Sequence, residues 1–169
     1  STSIRKFDDL VTAVKLRQDG QLIQCGDKLG KIQLLQVASR LALRQYKEFK
    51  NEIVCLDFAS NNRNFVACAN ETSWKYFDIQ LGDGAVFTCQ KAHADHIKVV
   101  RFWNDELVLS ASLDKHVKLW RIGDGDAEIV SSIKLPEAIE DVCQGPDGHL
   151  IVANGNMLSV LKVDEGDNL

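Results

Sequence analysis

Short runs of β-branched and aromatic residues, bounded by Gly, Asp or Asn, make up most of this chain: TAVKL, QLIQC, IVCLDF, NFVACA, KYFDI, HIKVVRF, ELVLSAS, HVKLW and HLIVAN. Runs of this length between turn residues predict β-strands. Only residues 38–50, ASRLALRQYKEFK, have some helical propensity, and their place in the repeat described next predicts a strand with flanking loops. The pattern therefore predicts an all-β chain.

Two independent sets of apolar positions repeat along the chain with one period. The first set is spaced by 42, 44 and 42 residues: Val11, Ile53, Ile97 and Ile139. The second is spaced by 42, 43 and 41 residues: Leu35, Phe77, Trp120 and Leu161. A unit of about 40 to 45 residues with four strands is typical of a WD40 β-propeller blade. The expected fold is therefore a WD40 β-propeller with about four blades of four antiparallel strands.

The repeat places the blade boundaries at residues 8–49, 50–92, 93–135 and 136–169, with blade four lacking its outer strand. SIRKF at 3–7 makes residues 1–7 the expected outer strand of a preceding blade. An open arc of four blades would expose apolar faces and strand edges at both ends. We therefore expect the arc to be part of a larger propeller. The alternative is that SIRKF completes blade four and closes a four-bladed ring.

Blade three carries polar residues that the other blades lack. SASLDKHVKLW at 110–120, preceded by His93, resembles the WD40 consensus. That resemblance implies a buried hydrogen-bond network formed by His93, Asp114, Trp120 and either Ser110 or Ser112. Such a network stabilises a fold only when every member is satisfied. The other blades have Leu or Phe at the Trp120 position, so we expect them to depend on apolar packing.

Motifs that suggest chemistry are each better explained by the blade pattern. Ser112 to Lys115 spells S-x-x-K, but the S-D-N and K-T-G partners of that motif are absent. His93 and His96 form an H-x-x-H pair without a third ligand at the spacing of a zinc protease. IGDGDAE at 122–128 lacks the spacing of a calcium loop and predicts a hairpin turn. We therefore expect no enzyme activity, no metal, no cofactor and no small-molecule substrate.

The cysteines and tryptophans are interpreted as structural residues. The five cysteines are odd in number and never fall as C-x-x-C, which favours buried free thiols over a zinc site or a disulfide framework. Trp74 aligns with Ile32 and Val117 and is predicted to lie in the core. Trp103 follows the first strand of blade three and either packs under a neighbouring blade or is an exposed anchor.

Charge distinguishes the two ends of the blades, whose strands we label a to d from the inner to the outer one. The formal net charge of −4 argues against a surface that binds phosphate all over. The a–b and c–d loops are acidic, with Asp19, Asp83, Asp105, Glu106, Asp124, Asp126, Asp147, Asp164 and Glu165 against Arg40 and Arg63. Contacts to RNA phosphates or to partners are expected at the opposite end, through Lys28, Lys47, Lys50, Lys91 and Lys115. The alternative there is a solvated rim of mixed charge.

No apolar run approaches the roughly 18 residues that span a membrane, and the start STSIRKFDDL has no signal-peptide core. An intracellular compartment and no membrane partner are therefore expected.

Blades one and two resemble one WD40 family in particular, the U3 small nucleolar RNA-associated protein 15 family. The matching residues are R-Q-D-G at 17–20 with Leu22, then Gly26, Gly30, Gln33 and Leu34, then Arg40 with L-R-Q at 43–45. A generic blade requires neither R-Q-D-G nor an L-R-Q at this distance from it. In blade four, EAIEDVCQGPDGHLIVANG keeps the rhythm of that family.

The resemblance implies that the larger propeller is seven-bladed, with four blades present here. It also implies a non-catalytic scaffold in ribosome biogenesis, which assembles the small-subunit processome on nascent pre-rRNA for 18S rRNA maturation in the nucleolus of the nucleus. The implied partners are other WD40 subunits of that ribonucleoprotein, pre-rRNA and U3 small nucleolar RNA. The alternative is a generic WD40 adaptor between proteins, such as a ubiquitin-ligase or signalling module. A propeller enzyme would need titratable groups that converge at the channel mouth, and the sequence shows no such cluster.

Overall fold

The computed structural model describes residues 7–145, 148–163 and 169. These residues form β-strands and connecting turns, and within the described ranges no α-helix occurs. The prediction of an all-β fold is confirmed. Residues 38–50, where the sequence has some helical propensity, contain a strand.

The strands form four antiparallel sheets in which neighbours follow chain order. The first sheet consists of β1 (Val11–Leu16), β2 (Leu22–Asp27), β3 (Ile32–Gln36) and β4 (Ala42–Tyr46). The second consists of β5 (Ile53–Phe58), β6 (Asn64–Ala69), β7 (Trp74–Asp78) and β8 (Phe87–Cys89). The third consists of β9 (Ile97–Phe102), β10 (Leu107–Ser112), β11 (His116–Ile122) and β12 (Ala127–Lys134). The fourth consists of β13 (Ile139–Gln144), β14 (His149–Asn154) and β15 (Met157–Lys162).

We refer to these sheets as blades one to four. The strand SIRKF expected at 3–7 falls almost wholly outside the described residues, and Phe7, which is described, is not part of a strand. The blade boundaries read from the sequence, and the way in which the ring closes, therefore stay predictions.

The hydrophobic core lies between neighbouring blades, because each sheet packs apolar side chains on both of its faces. Between blades one and two, Phe65 and Phe77 stack with their centroids 4.4 Å apart, and Tyr46 meets both rings edge-on at 5.2 Å. Between blades two and three, Trp74 meets Trp120 edge-on at 6.0 Å. Burying one large apolar side chain stabilises a fold by about 1.5–3 kcal/mol. The large apolar side chains buried at the joints between blades therefore stabilise the arc.

The inner strands add polar contacts across the same joints. Thr12 Oγ1 of blade one donates a hydrogen bond to Ile53 O of blade two at 2.7 Å. Asp57 of blade two accepts a hydrogen bond from the Phe102 backbone N–H of blade three at 2.9 Å. The same carboxylate forms an ion pair with Lys15 Nζ of blade one at 2.7 Å. One nearly buried carboxylate thus connects three successive blades.

The outer faces of the two terminal blades expose apolar residues at positions that are buried elsewhere. Val14 is 68% exposed, whereas the equivalent residues of the following blades are at most 5% exposed: Leu56, Val100 and Val142. Leu158 is 76% exposed, whereas the equivalent residues of the preceding blades are fully buried: Ile32, Trp74 and Val117. Each terminal blade therefore presents a face of the kind that packs against another blade.

The tryptophan predictions agree with the structure, whereas the cysteine prediction is partly wrong. Trp74 is fully buried, and Trp103 packs partly buried against the core between blades three and four. All five cysteines are free. Cys55 and Cys89 are only partly buried, however, and Cys143 is exposed. Cys143 lies on the inner strand of the terminal blade, at the position equivalent to Asp57, and Asp57 is buried because blades one and three contact it from either side.

Candidate functional site

The polar residues of blade three form one chain of hydrogen bonds. His93 Nδ1 lies 2.9 Å from Asp114 Oδ2, and His93 Nε2 lies 2.7 Å from Ser110 Oγ. Trp120 Nε1 donates to the same Ser110 oxygen at 2.8 Å. His93 and Ser110 are buried, so a missing partner would leave a polar group without water. The chain joins the loop before β9 to β10, to the turn after β10 and to β11.

Burial keeps His93 neutral. Desolvation lowers its pKa to about 4, although the Asp114 carboxylate opposes the shift. A neutral imidazole has one donor and one acceptor nitrogen. Nδ1–H therefore donates to Asp114, and Nε2 accepts from the Ser110 hydroxyl, which in turn accepts from Trp120. Backbone N–H groups of Ala94 and His116 also donate to Asp114 and hold its pKa low, although burial of the carboxyl acts in the opposite direction.

Ser112 has a separate role from the other four predicted residues. Its hydroxyl lies 2.9 Å from the backbone oxygens of both Asp95 and His96, and its Oγ accepts a hydrogen bond from the Asp114 N–H. It therefore fixes the loop before β9 and the turn that carries Asp114. Of the two serines that the sequence left open, Ser110 is the one that contacts His93 and Trp120.

Two lysines that the sequence did not indicate as site residues, one in blade two and one in blade three, fix the loops that lead into their blades. Lys75 Nζ donates to Glu48 O at 2.7 Å and lies 5.1 Å from the centre of the Phe49 ring. Lys118 Nζ donates to Ala92 O at 2.6 Å. Both ammonium groups hold the carbonyl of the loop that leads into their own blade. The signal was present in the sequence, since each lysine precedes the core aromatic of its strand by two residues.

The lysines predicted to contact RNA or partners lie in the b–c and d–a loops. Four of them are exposed, and the described part of the chain offers their ammonium groups no ion pair or hydrogen bond: Lys28, Lys47, Lys50 and Lys91. Lys115 differs, because its Nζ donates to Pro136 O at 2.8 Å and lies 3.6 Å from Glu137. Lys115 therefore joins blades three and four.

Several acidic residues at the opposite end are already paired. Asp19 pairs with Arg17, and Asp83 with Arg44, across 2.6 and 2.9 Å. Asp105 accepts hydrogen bonds from Ser60. Glu106, Asp124 and Asp126 are exposed, whereas Asp147, Asp164 and Glu165 lie outside the described residues. This end remains acidic overall, which disfavours phosphate.

The channel mouth between the inner strands holds a cavity of about 330 Å³. Lys15, Asp57, Arg101 and Cys143 occupy equivalent positions around it, one from each blade. Lys15 is paired with Asp57, and Arg101 Nη2 lies 3.5 Å from Asp141. Within the described residues, no group of three or more His, Cys, Asp or Glu side chains is placed to hold a metal ion.

The described residues also form no helix with the length and apolar character needed to span a membrane.

One segment of the chain, which includes the blade-three network, matches a known protein-family model. Residues 85–121 match the family model described as "WD domain, G-beta repeat". These residues run from the end of blade two through Trp120, so the matched segment contains the whole hydrogen-bond chain. This segment therefore resembles a WD40 repeat, and the four described sheets have the architecture of β-propeller blades.

Sequence comparison with known proteins identifies several relatives of this chain. The chain is 27% identical over 168 residues to the U3 small nucleolar RNA-associated protein 15 homolog of Xenopus laevis, covering 97% of this chain and 32% of the relative. It is 25% identical over 154 residues to U3 small nucleolar RNA-associated protein 15 of Schizosaccharomyces pombe, covering 90% and 31%. It is also 24% identical over 108 residues to human apoptotic protease-activating factor 1, covering 64% and 8%. The chain therefore resembles the U3 small nucleolar RNA-associated protein 15 family and spans about a third of the length of those relatives.

Proposed function

We propose that this chain is a non-catalytic propeller segment of a ribosome-biogenesis scaffold, which assembles the small-subunit processome on nascent pre-rRNA in the nucleolus. The observation that supports the proposal is the similarity to relatives named for association with U3 small nucleolar RNA, which extends over nearly the whole chain. The fully satisfied network of blade three is a structural use of His, Ser and Asp. The proposed partners are other WD40 subunits, pre-rRNA and U3 small nucleolar RNA.

The difference in charge between the two ends of the molecule favours one end for binding RNA. Lys28, Lys47, Lys50 and Lys91 are exposed at the b–c and d–a loop end, whereas the opposite end is acidic. Unpaired ammonium groups bind phosphates without reading sequence, and the affinity falls with salt. The proposed RNA contact therefore lies at the lysine-bearing end.

The decisive experiment is affinity purification of the full-length protein from growing cells, with mass spectrometry and sequencing of the bound RNA. Recovery of pre-rRNA, U3 RNA and other propeller subunits through a high-salt wash is expected. Recovery of ubiquitin-ligase or signalling subunits without those RNAs would overturn the proposal. It would favour the adaptor alternative.

A variant pair tests the RNA contact itself. The Lys47→Gln, Lys50→Gln double variant removes two exposed charges from the d–a loop, and the control Arg40→Gln, Lys162→Gln removes two exposed charges from the opposite end. The first is expected to reduce crosslinking to pre-rRNA in cells. Removing one lysine that binds a phosphate lowers the salt dependence of affinity by about one unit. Equal crosslinking of both variants would show that the loop does not contact RNA.

A further inference from the structure

A groove of about 810 Å³ opens between blades two and three at the acidic end of the molecule. Its floor is formed by Tyr76 and Phe87, whose rings stack with their centroids 5.2 Å apart. Leu81, Val86 and Ile122 line its sides, and the turn at 123–125 forms its far wall. The groove lies between two blades of four strands each, so its opening does not arise from the exposed faces at the ends of the arc.

The groove exists because the outer strand of blade two is short. β8 has 3 residues, whereas β4 has 5 and β12 has 8. At the joint between blades one and two, Arg44 Nη1 reaches Asp83 Oδ1 at 2.9 Å and links the two blades. The residue equivalent to Tyr76 is buried in both neighbouring blades, as Leu34 and Leu119. Tyr76 is instead partly exposed, so an aromatic surface lies open where the other joints are filled.

The exposed apolar and charged groups of the groove indicate which kind of ligand it could bind. Leu81 is 71% and Val86 41% exposed, which is a large apolar surface beside two aromatic rings. The Tyr76 hydroxyl forms no hydrogen bond with the described residues and is free to bind a ligand. Arg63 is occupied by Asp78 through its Nε at 2.7 Å. Asp124 lines the groove without an ion pair to any described residue, so the rim carries excess negative charge.

We propose that this groove binds a short basic segment of a protein partner, with an aromatic or branched side chain on Tyr76 and Phe87 and a Lys or Arg beside Asp124. Aromatic floors with polar rims are typical of sites where a few side chains carry most of the binding energy. The acidic rim repels phosphate, which disfavours RNA. The proposal goes beyond the proposed scaffold role and does not depend on it, because an adaptor could use the same groove.

The test is selection of a random peptide library displayed on phage against the wild-type protein, followed by fluorescence polarisation with the enriched peptides. Enriched sequences are expected to combine Lys or Arg with an aromatic or branched residue. The Leu81→Ala, Val86→Ala double variant is expected to weaken their binding at least about tenfold. Asp124→Asn is expected to weaken binding less, and the loss should shrink as salt is added.

Leu43→Ala is the matched control, because Leu43 is an exposed leucine on the outer strand of blade one. It should leave peptide binding unchanged. Circular dichroism of every variant separates loss of binding from loss of fold. The proposal is overturned if no enriched peptide depends on Leu81 and Val86, if the enriched peptides are acidic, or if an oligouridine RNA binds the wild type and loses binding in the groove variant.

Discussion

At the scale of the residue, His93 determines how blade three responds to acid. Its pKa is about 4 in the folded protein and about 6.5 in an unfolded chain. Between those values the unfolded state binds a proton that the folded state does not. Folding stability therefore falls as the pH falls through this window, by up to about 1.4 kcal/mol for each pH unit.

The expected result is that wild type loses more stability than His93→Gln between about pH 7 and about pH 5. Urea unfolding at the two pH values measures it. Groups that titrate elsewhere are common to both proteins and cancel in the comparison. Equal losses would mean that His93 is already protonated in the folded state at about pH 5, and that its salt bridge with Asp114 prevails over burial.

A substitution at Trp120 tests how much the hydrogen bond at the other end of the same network contributes to stability. Trp120→Phe keeps an aromatic ring next to Trp74 but removes the N–H that donates to Ser110. A hydrogen bond of this kind contributes about 0.5–1.5 kcal/mol, and a smaller ring adds a packing loss. We expect a lower midpoint of thermal unfolding, whereas Trp103→Phe, with no such bond from its indole N–H to a described residue, should cost less. The reverse order would show that the network contributes little.

At the scale of the element, the joint between blades one and two leaves no room for a larger residue on β2. A Cβ at Gly26 would overlap the Ile53 side chain on the inner strand of blade two. Overpacking of this kind costs about 1–3 kcal/mol. We therefore expect Gly26→Ala to destabilise the protein. Chemical denaturation measures the loss.

Gly84→Ala is the matched control for that substitution. Its Cβ would lie 3.6 Å from the mobile end of Glu48, which is an ordinary contact. If the Gly26 strain is real, the added Ile53→Ala change should relieve part of it, giving a double variant more stable than the two single costs predict. Strict additivity would argue against the close approach of the two strands.

The elements also show how far the sequence could predict the structure. The repeat period and the alternation of apolar residues were sufficient to predict the sheets, because equivalent positions are buried wherever one blade packs against another. They could not choose between Ser110 and Ser112, because residues two apart on a strand point to the same face and only the register with β9 separates them. They also missed the groove beside Tyr76, since the length of β8 depends on pairing and not on any local motif.

At the scale of the whole molecule, the exposed face of blade four predicts a difference between this chain and the full-length protein. Leu158 is in solvent here, so Leu158→Ala should change the stability of this chain by no more than about 0.5 kcal/mol. If another blade packs on that face in the full-length protein, the same change should cost about 2–5 kcal/mol there. Thermal unfolding of both forms measures the difference.

Leu29→Ala serves as the reference for that comparison, because Leu29 is exposed in the turn between β2 and β3 and not on a sheet face. This substitution should change the thermal stability of both forms very little. If Leu158→Ala leaves the thermal stability of the full-length protein unchanged, no blade covers the exposed face of blade four. The same result would count against the larger propeller that the sequence favours.

The location of the core between the blades has one more consequence, which concerns how the backbone opens. A blade with a neighbour on both sides can unfold only by breaking two joints, whereas a terminal blade breaks one. Amide hydrogen exchange in this chain should therefore be slowest in β6 and β10 and fastest in β1 and β15, with the rates graded from the middle outwards. Exchange followed by mass spectrometry would show the gradient directly, and uniform protection of all four blades would mean that the arc opens only as a single unit.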